Sequence, residues 1–230
     1  MTLLTTALLT MSAAAQTTFE KDGNIFFTDA TGQTKQLTSS GKDAAPTLSP
    51  DKKYVTFIRT LDGPKIWTGR DDAYPQEIWI ISSDGRGARR LVASPTKPGQ
   101  ESSLASFSNP QFAFDGRSVF FMTNCAAVSN CIYNVDVTTG RVKPLGGGNM
   151  LDVIHEGNCR GCLIVIKHKY FLAGGSYDWY WLLTSNGMEI DPIVDYSENA
   201  ETELQRFKAE TCQFRAPRDC RPHAVRSRHK

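Results

Sequence analysis

The stretch PTLSPDKKYVTFI at residues 46–58 recurs without a gap as PQFAFDGRSVFFM at residues 110–122. Each copy has a short apolar segment, a tight turn that contains Asp, and a second segment in which apolar residues alternate with others. This pattern is typical of a β-hairpin, and its recurrence indicates a repeat architecture. The repeated stretch therefore predicts the fold and does not predict a catalytic site.

A second unit alternates with the first along the chain. It has a strand rich in β-branched and aromatic residues, a turn that ends in Gly, and a short strand that ends in Leu or Ile. Four copies occur, at residues 25–37, 78–91, 132–145 and 180–193. A period of about 50 residues without a helical segment favours the blades of a β-propeller over a helical solenoid.

Two segments of the chain carry a family resemblance. LSPDKKYVTF at 48–57 and EIWIISSDGRGARRLV at 77–92 resemble the repeat of TolB-type (WD40-like) β-propellers, in which a Pro-x-x-Ser-Pro-Asp-Gly hairpin precedes an Asp-Gly turn and a strand ending in Leu-Thr. The resemblance covers about residues 23–145, weakens towards 193, and implies an all-β propeller. Since TolB-like propellers usually have six or more blades, the three to four blades of this chain leave two arrangements open. The chain forms either a small four-bladed ring or an open arc with exposed edges.

The repeats define the domain organisation. Residues 17–38 supply a partial unit whose first hairpin is missing, and the pattern changes after residue 193. The segment DYSENAETELQRFKAETC at 195–212 predicts a short helix that is capped at Ser197 and could cover an exposed edge. The division is a signal peptide at 1–15, TolB-like repeats at 16–193, and the helix with a basic tail at 194–230.

The N-terminus and the cysteines both indicate export. MTLLTTALLTMSAAAQ contains an apolar run and a small-residue cleavage site but no early Lys or Arg, so a frayed apolar N-terminus is the alternative. The six cysteines fall in three close pairs, which favours local disulfides in a periplasmic or secreted protein, although 15 connectivities are possible. The pairs are Cys125 with Cys131, Cys159 with Cys162, and Cys212 with Cys220.

Charge and hydropathy give little support for a membrane span or a nucleic-acid partner. The chain has a formal net charge of +2, and no later apolar run approaches the roughly 20 residues that span a bilayer. The last 16 residues hold six Lys or Arg and one acid. Because no aromatic residues interleave with them, a solvated tail is favoured over a nucleic-acid site.

The long loops are the predicted binding surface. Strand order places the insertions at 60–76 and 93–107 on one face with residues 124–131, and long loops on a rigid scaffold usually carry binding. Within the first insertion, the candidate contacts are Trp67, Arg70, Asp71, Asp72 and Tyr74. The alternative is that Trp67 packs onto its own blade and the charged residues are solvated.

Catalytic and metal chemistry receive little support from the sequence. GGSYD at 174–178 lacks the spacing of a nucleophile elbow, and none of the four histidines has a ligand partner at helical spacing. The CRGC motif at 159–162 is compatible with a zinc or redox site, but its position between strands favours a structural disulfide. We therefore expect no cofactor and no metal. The recurrent Asp51, Asp84 and Asp115 are interpreted as turn residues.

These observations support three functional hypotheses. The first is an exported, non-enzymatic propeller-repeat protein that binds another protein or a cell-envelope component. The second is a hydrolase or lyase that acts in the central cleft of a small propeller. The third is a partial propeller that works as a homodimeric structural module.

Overall fold

The computed structural model describes residues 15–95, 104–126 and 129–211. The first sheet contains β1 (Thr17–Lys21), β2 (Asn24–Thr28) and β3 (Thr34–Gln36). The second contains β4 (Asp43–Leu48), β5 (Tyr54–Thr60), β8 (Gln76–Ser82) and β9 (Arg89–Ala93), and the ribbon of β6 (Ile66–Trp67) and β7 (Asp72–Ala73) is inserted between β5 and β8.

The second half of the chain repeats this plan. The third sheet contains β10 (Ser108–Phe112), β11 (Ser118–Ala126), β12 (Ser129–Asp136) and β13 (Val142–Gly147). The fourth contains β14 (Met150–Val153), β15 (Leu163–Tyr170), β16 (Ser176–Leu183) and β17 (Glu189–Asp195). Helix α1 (Ala200–Arg206) follows and continues as a π-helical turn, Phe207–Thr211. Every sheet is antiparallel with strands in sequence order, so each is a propeller blade and the all-β prediction is confirmed.

The two copies of the repeated stretch occupy equivalent places in the core. Val55 and Phe57 of the second sheet pack against the first sheet, and Val119 and Phe121 of the third sheet pack against the second. All four side chains are fully buried. The sequence therefore repeats because the same packing between neighbouring blades repeats.

Equivalent irregularities connect the innermost strands of neighbouring blades. Ala45 and Asn109 both have positive φ angles, +52° and +49°, where the register of each strand shifts. The Thr47 hydroxyl donates to the Pro110 carbonyl at 2.6 Å, and the Gln111 amide donates to the Leu151 carbonyl at 2.8 Å. These bulges turn one polar side chain per blade onto the backbone of the next blade.

The first blade differs from the expectation. In the first blade, Phe19 of β1 pairs with Phe26 of β2, and in the second blade Phe57 of β5 pairs with Trp79 of β8. β1 therefore corresponds to the second strand of the other blades. The predicted partial unit is thus present, but less of it is missing than expected: within the described residues, only the innermost strand of the first hairpin is lacking. The strand TTFEK has one large apolar residue, so it gives no alternating pattern, although the Asp-Gly turn after it is a hairpin signal.

The predicted helix is present but begins later than expected. Its N-cap is Asn199, which makes no side-chain capping hydrogen bond, so the prediction of a cap at Ser197 is wrong. The Ser197 hydroxyl instead lies 3.3 Å from an Asp195 carboxylate oxygen. Ala200 and Leu204 are buried against the fourth sheet. The helix therefore covers the outer face of the last blade, as a terminal cap does in repeat proteins.

The blades form an open arc. Contacts join the first sheet to the second, the second to the third and the third to the fourth, and within the described residues no extensive contact joins the fourth sheet to the first. Of the two arrangements that the sequence leaves open, the extensive contacts among the described residues match the arc. No helix among the described residues is long and apolar enough to cross a membrane.

Candidate functional site

The insertion at 60–76 lies against the loop of the neighbouring blade. The Asn124 side-chain amide donates to the Thr68 hydroxyl at 2.9 Å. The Arg70 guanidinium donates to the Asn130 side-chain oxygen at 3.2 Å and to the Ser129 carbonyl at 3.3 Å. The predicted sharing of one face by 60–76 and 124–131 is thus confirmed. Residues 96–103 of the other insertion lie outside the described ranges.

The ribbon formed by β6 and β7 is a small, internally bonded platform. Ile66 pairs with Ala73, and Trp67 pairs with Asp72. Ile66 and Thr68 are buried, and the Thr68 hydroxyl donates to the Asp71 carboxylate at 2.7 Å. Because side chains alternate across a strand, anchoring Ile66 and Thr68 inward directs Trp67 outward.

The outer side of the ribbon exposes aromatic and charged side chains. Trp67 is 52% exposed and Tyr74 is 50% exposed. The Lys65 ammonium lies 5.6 Å from the centre of the Tyr74 ring, and the Asp72 side chain is exposed beside Trp67. Such a surface has large apolar area with polar groups at its rim, as the centres of protein interfaces do.

The five predicted contact residues therefore divide into two groups. Trp67, Asp72 and Tyr74 are exposed and make no contact with the neighbouring loop among the hydrogen bonds described above, whereas Arg70 and Asp71 are also exposed but make hydrogen bonds that hold the ribbon in place. Trp67 is 52% exposed, so about half of its surface is open to a partner, and the binding role of the ribbon stays a prediction. Lys65 was not predicted from the sequence. Because side chains two residues apart in an extended segment point to the same side, its position two residues before Trp67 could have indicated it.

The loop that supports the ribbon is covalently closed. Cys125 and Cys131 form a disulfide with their Cα atoms 5.2 Å apart, as the sequence predicts. Cys159 and Cys162 are buried and disulfide-bonded, and no described cysteine is a free thiol. The pairing of Cys159 with Cys162 stays a prediction, and Cys212 and Cys220 lie outside the described residues.

The recurrent aspartates act in their own turns. The carboxylates of Asp51, Asp84 and Asp115 each accept a hydrogen bond from the backbone N–H two residues later, at 3.2, 3.0 and 3.0 Å. At the related turn, the Thr139 N–H and hydroxyl hold the pKa of Asp136 below its usual value. These carboxylates belong to four separate turns.

A depression beside the terminal helix contains a cluster of polar groups. It has a volume of about 490 Å³, and its lining includes His155, Glu156, Asp152 and Lys208. Lys208 and Asp152 form an ion pair at 2.7 Å. The His155 residue is exposed, but nearby protein atoms partly desolvate its ring and hold its pKa below the usual value. Among the described residues, no group of three or more His, Cys, Asp or Glu is arranged to hold a metal ion.

Known structures share this architecture. Dipeptidyl peptidase 4 from Porphyromonas gingivalis matches with a TM-score of 0.53 and 13% identity, over 78% of this chain and 31% of that one. Oligogalacturonate lyase from Vibrio parahaemolyticus matches at 0.50 and 14%, over 76% and 43%. TolB from Agrobacterium tumefaciens matches at 0.49 and 17%, over 75% and 56%. The fold is therefore that of β-propeller blades.

This blade architecture is shared by proteins with different names and activities. At identities of 13–17%, the likeness concerns the fold alone. The chain spans less than two thirds of the length of each of these proteins, from 31% to 56%. No family model and no curated protein sequence matches the chain.

Proposed function

We propose that this TolB-like propeller is an exported, non-enzymatic module that binds a protein or a cell-envelope component through the exposed side of the β6–β7 ribbon. The observation that carries the proposal is the outward placement of Trp67, Asp72 and Tyr74 on a segment that is anchored from behind. The exposed aromatic rings and the polar groups beside them match the composition of interface centres.

Rigidity strengthens this proposal. A flexible loop loses conformational entropy when a partner binds, so a preformed surface retains more of its contact energy. The ribbon has a buried Ile66, a buried Thr68 and three hydrogen bonds to the neighbouring blade. Export is supported by the Cys125–Cys131 disulfide, because disulfides persist in oxidising compartments.

Affinity capture from a cell-envelope fraction tests the proposal. The immobilised full chain should retain a discrete partner, and Trp67→Ala should reduce its retention about tenfold or more, since interface tryptophans are frequent hot spots. The matched control is Tyr54→Ala, which removes a 45% exposed aromatic side chain at the opposite end of β5. Equal retention by the Trp67→Ala variant and the wild type would remove the ribbon as the binding site.

A hydrolase or lyase is the second candidate function, and the depression around His155 favours it. His155 and Glu156 line a concave site beside the Asp152–Lys208 pair, and a desolvated imidazole with a lowered pKa suits a general base. If this site is catalytic, any hydrolytic or eliminating activity of the purified chain should disappear in His155→Gln. Activity that survives His155→Gln would exclude this site.

A further inference from the structure

The hairpin that joins β15 to β16 projects an apolar tip from the same face as the ribbon. Both segments connect the second and third strands of their blades. Tyr170 is 75% exposed, Phe171 is 57% exposed and Leu172 is 111% exposed, as open to solvent as in an extended peptide. Three consecutive large apolar residues with this exposure are unusual on a soluble surface and mark a contact site.

We propose that this tip inserts into the interface of a phospholipid membrane. The first support is its shape. The tip is convex, because the chain reverses over residues 171–175 and leaves Leu172 without side-chain cover. A convex apolar tip fits a deformable apolar medium, and apolar faces of interfacial segments enter the headgroup and acyl boundary by about 5–10 Å.

The backbone at the tip is internally hydrogen-bonded. The Phe171 N–H donates to the Gly175 carbonyl at 3.1 Å, and the Gly174 N–H donates to the Phe171 carbonyl at 3.1 Å. Gly174 and Gly175 have φ angles of +94° and +88°, which permit this tight reversal. These two bonds pair backbone groups at the base of the turn, which lowers the cost of placing those groups where water is absent.

Aromatic and charged side chains lie together behind the tip. Next to Phe171 lies Tyr177, with ring centres 4.6 Å apart, and then Trp179 at 6.1 Å from Tyr177. Lys169 and Lys167 are one and three residues behind Tyr170, or about 3 and 10 Å along the strand. Because Lys169 pairs with Tyr177 and Lys167 pairs with Trp179 across the hairpin, the charged layer and the aromatic rings lie at the same depth. Aromatic rings and lysines behind an apolar tip are the side chains that anchor proteins at a membrane interface.

The positive and negative charges of this layer cancel, and this balance indicates which kind of lipid headgroup it fits. Glu189 accepts from Lys167 at 2.7 Å and from Lys169 at 2.8 Å. Asp178 lies 3.0 Å from His168. The two lysines and the two carboxylates sum to zero, so the layer matches zwitterionic headgroups. Anionic lipid should therefore add little to binding, and the apolar tip should supply the affinity.

Flotation of the full chain with phosphatidylcholine vesicles tests this proposal. The wild type should float, and Leu172→Ser should weaken partitioning about tenfold or more, the loss expected for one buried leucine side chain. Because Leu172 is fully exposed in the structure, the substitution should leave the circular dichroism unchanged. The matched control is Met188→Ser, which removes a 54% exposed apolar side chain beyond the opposite end of β16 and should float like the wild type.

A second experiment measures how deeply the tip enters the bilayer. Tryptophan fluorescence of a Leu172→Trp variant should be quenched by lipids brominated near the headgroup end of the acyl chains. Failure of the wild type to float, or equal flotation by Leu172→Ser, would overturn the proposal. Flotation only with phosphatidylglycerol would also overturn it, since charge would then be the cause. Self-association that needs Leu172 and occurs without lipid would identify a second copy as the occupant instead.

Discussion

Replacing Asp43 by Asn should destabilise the protein far more than the loss of an exposed carboxylate. The Asp43 side chain is fully buried and accepts two hydrogen bonds from Arg59, from Nε at 2.6 Å and from Nη2 at 2.8 Å. These hydrogen bonds raise the pKa of Arg59 above its usual value. The guanidinium also lies 4.8 Å from the centre of the Trp79 ring. Loss of the carboxylate charge leaves this guanidinium without its hydrogen-bonded counter-ion.

The magnitude follows from burial. Removing one partner of a buried ion pair costs about 3–5 kcal/mol. Because the Arg59 side chain keeps 24% of its exposure, water can partly solvate the unpaired guanidinium, so we expect the lower end, about 3 kcal/mol. For a chain of this size, that corresponds to a fall in Tm of about 6–12 °C.

Urea unfolding followed by circular dichroism measures this effect. The midpoint should fall for Asp43→Asn at an unchanged slope, which would show that stability and not compactness has changed. The control is Asp62→Asn, which breaks the Lys42–Asp62 pair whose carboxylate is 90% exposed, and it should cost less than about 1 kcal/mol. A loss below about 1 kcal/mol for Asp43→Asn, or equal losses for both variants, would show that burial does not set the strength of the Asp43–Arg59 pair.

Further predictions concern backbone strain, pH and the cysteines. Ala45→Asn should raise the free energy of unfolding by about 1 kcal/mol, because Ala45 is in the left-handed region and the equivalent residue of the next blade is Asn109. An unchanged Tm would contradict this. Lys52→Gly should stabilise the protein by a similar amount, since Lys52 has φ +63° where the equivalent turn has Gly116. An unchanged midpoint of urea unfolding would contradict this. The lowered pKa of His155 means that the unfolded chain binds protons first, so stability should fall as the pH drops below about 6.5, and His155→Gln should reduce that fall. Identical pH profiles of unfolding would exclude His155 as the cause. Alkylation without reductant should label none of the six cysteines of the exported protein, and several reactive thiols would contradict the proposed compartment.

The architecture was predictable because the sequence repeats. Val55 with Val119 and Phe57 with Phe121 align in the sequence, and they align in the structure because each pair fills the same space between blades. β1 was not predictable in this way. Its single large apolar residue, Phe19, lies on a half-exposed face with no preceding blade among the described residues, so no alternation was needed for burial.

The site was predictable in position more than in detail. Loop length indicated the segment at 60–76, but the hydrogen bonds of Arg70 depend on Ser129 and Asn130, which only the fold brings near. The tip at 170–172 was missed because aromatic residues at a strand end look like core residues in a sequence. Exposure is a property of the whole arc, so no local pattern reports it.

Photo-crosslinking in the cell envelope shows most directly whether the outer side of the ribbon binds a partner. A photoreactive amino acid replacing Tyr74 should give one discrete adduct, whereas the same group replacing Tyr54, beyond the other end of the blade, should give none. No adduct from position 74, or the same adduct from both positions, would mean that the ribbon is not the binding surface.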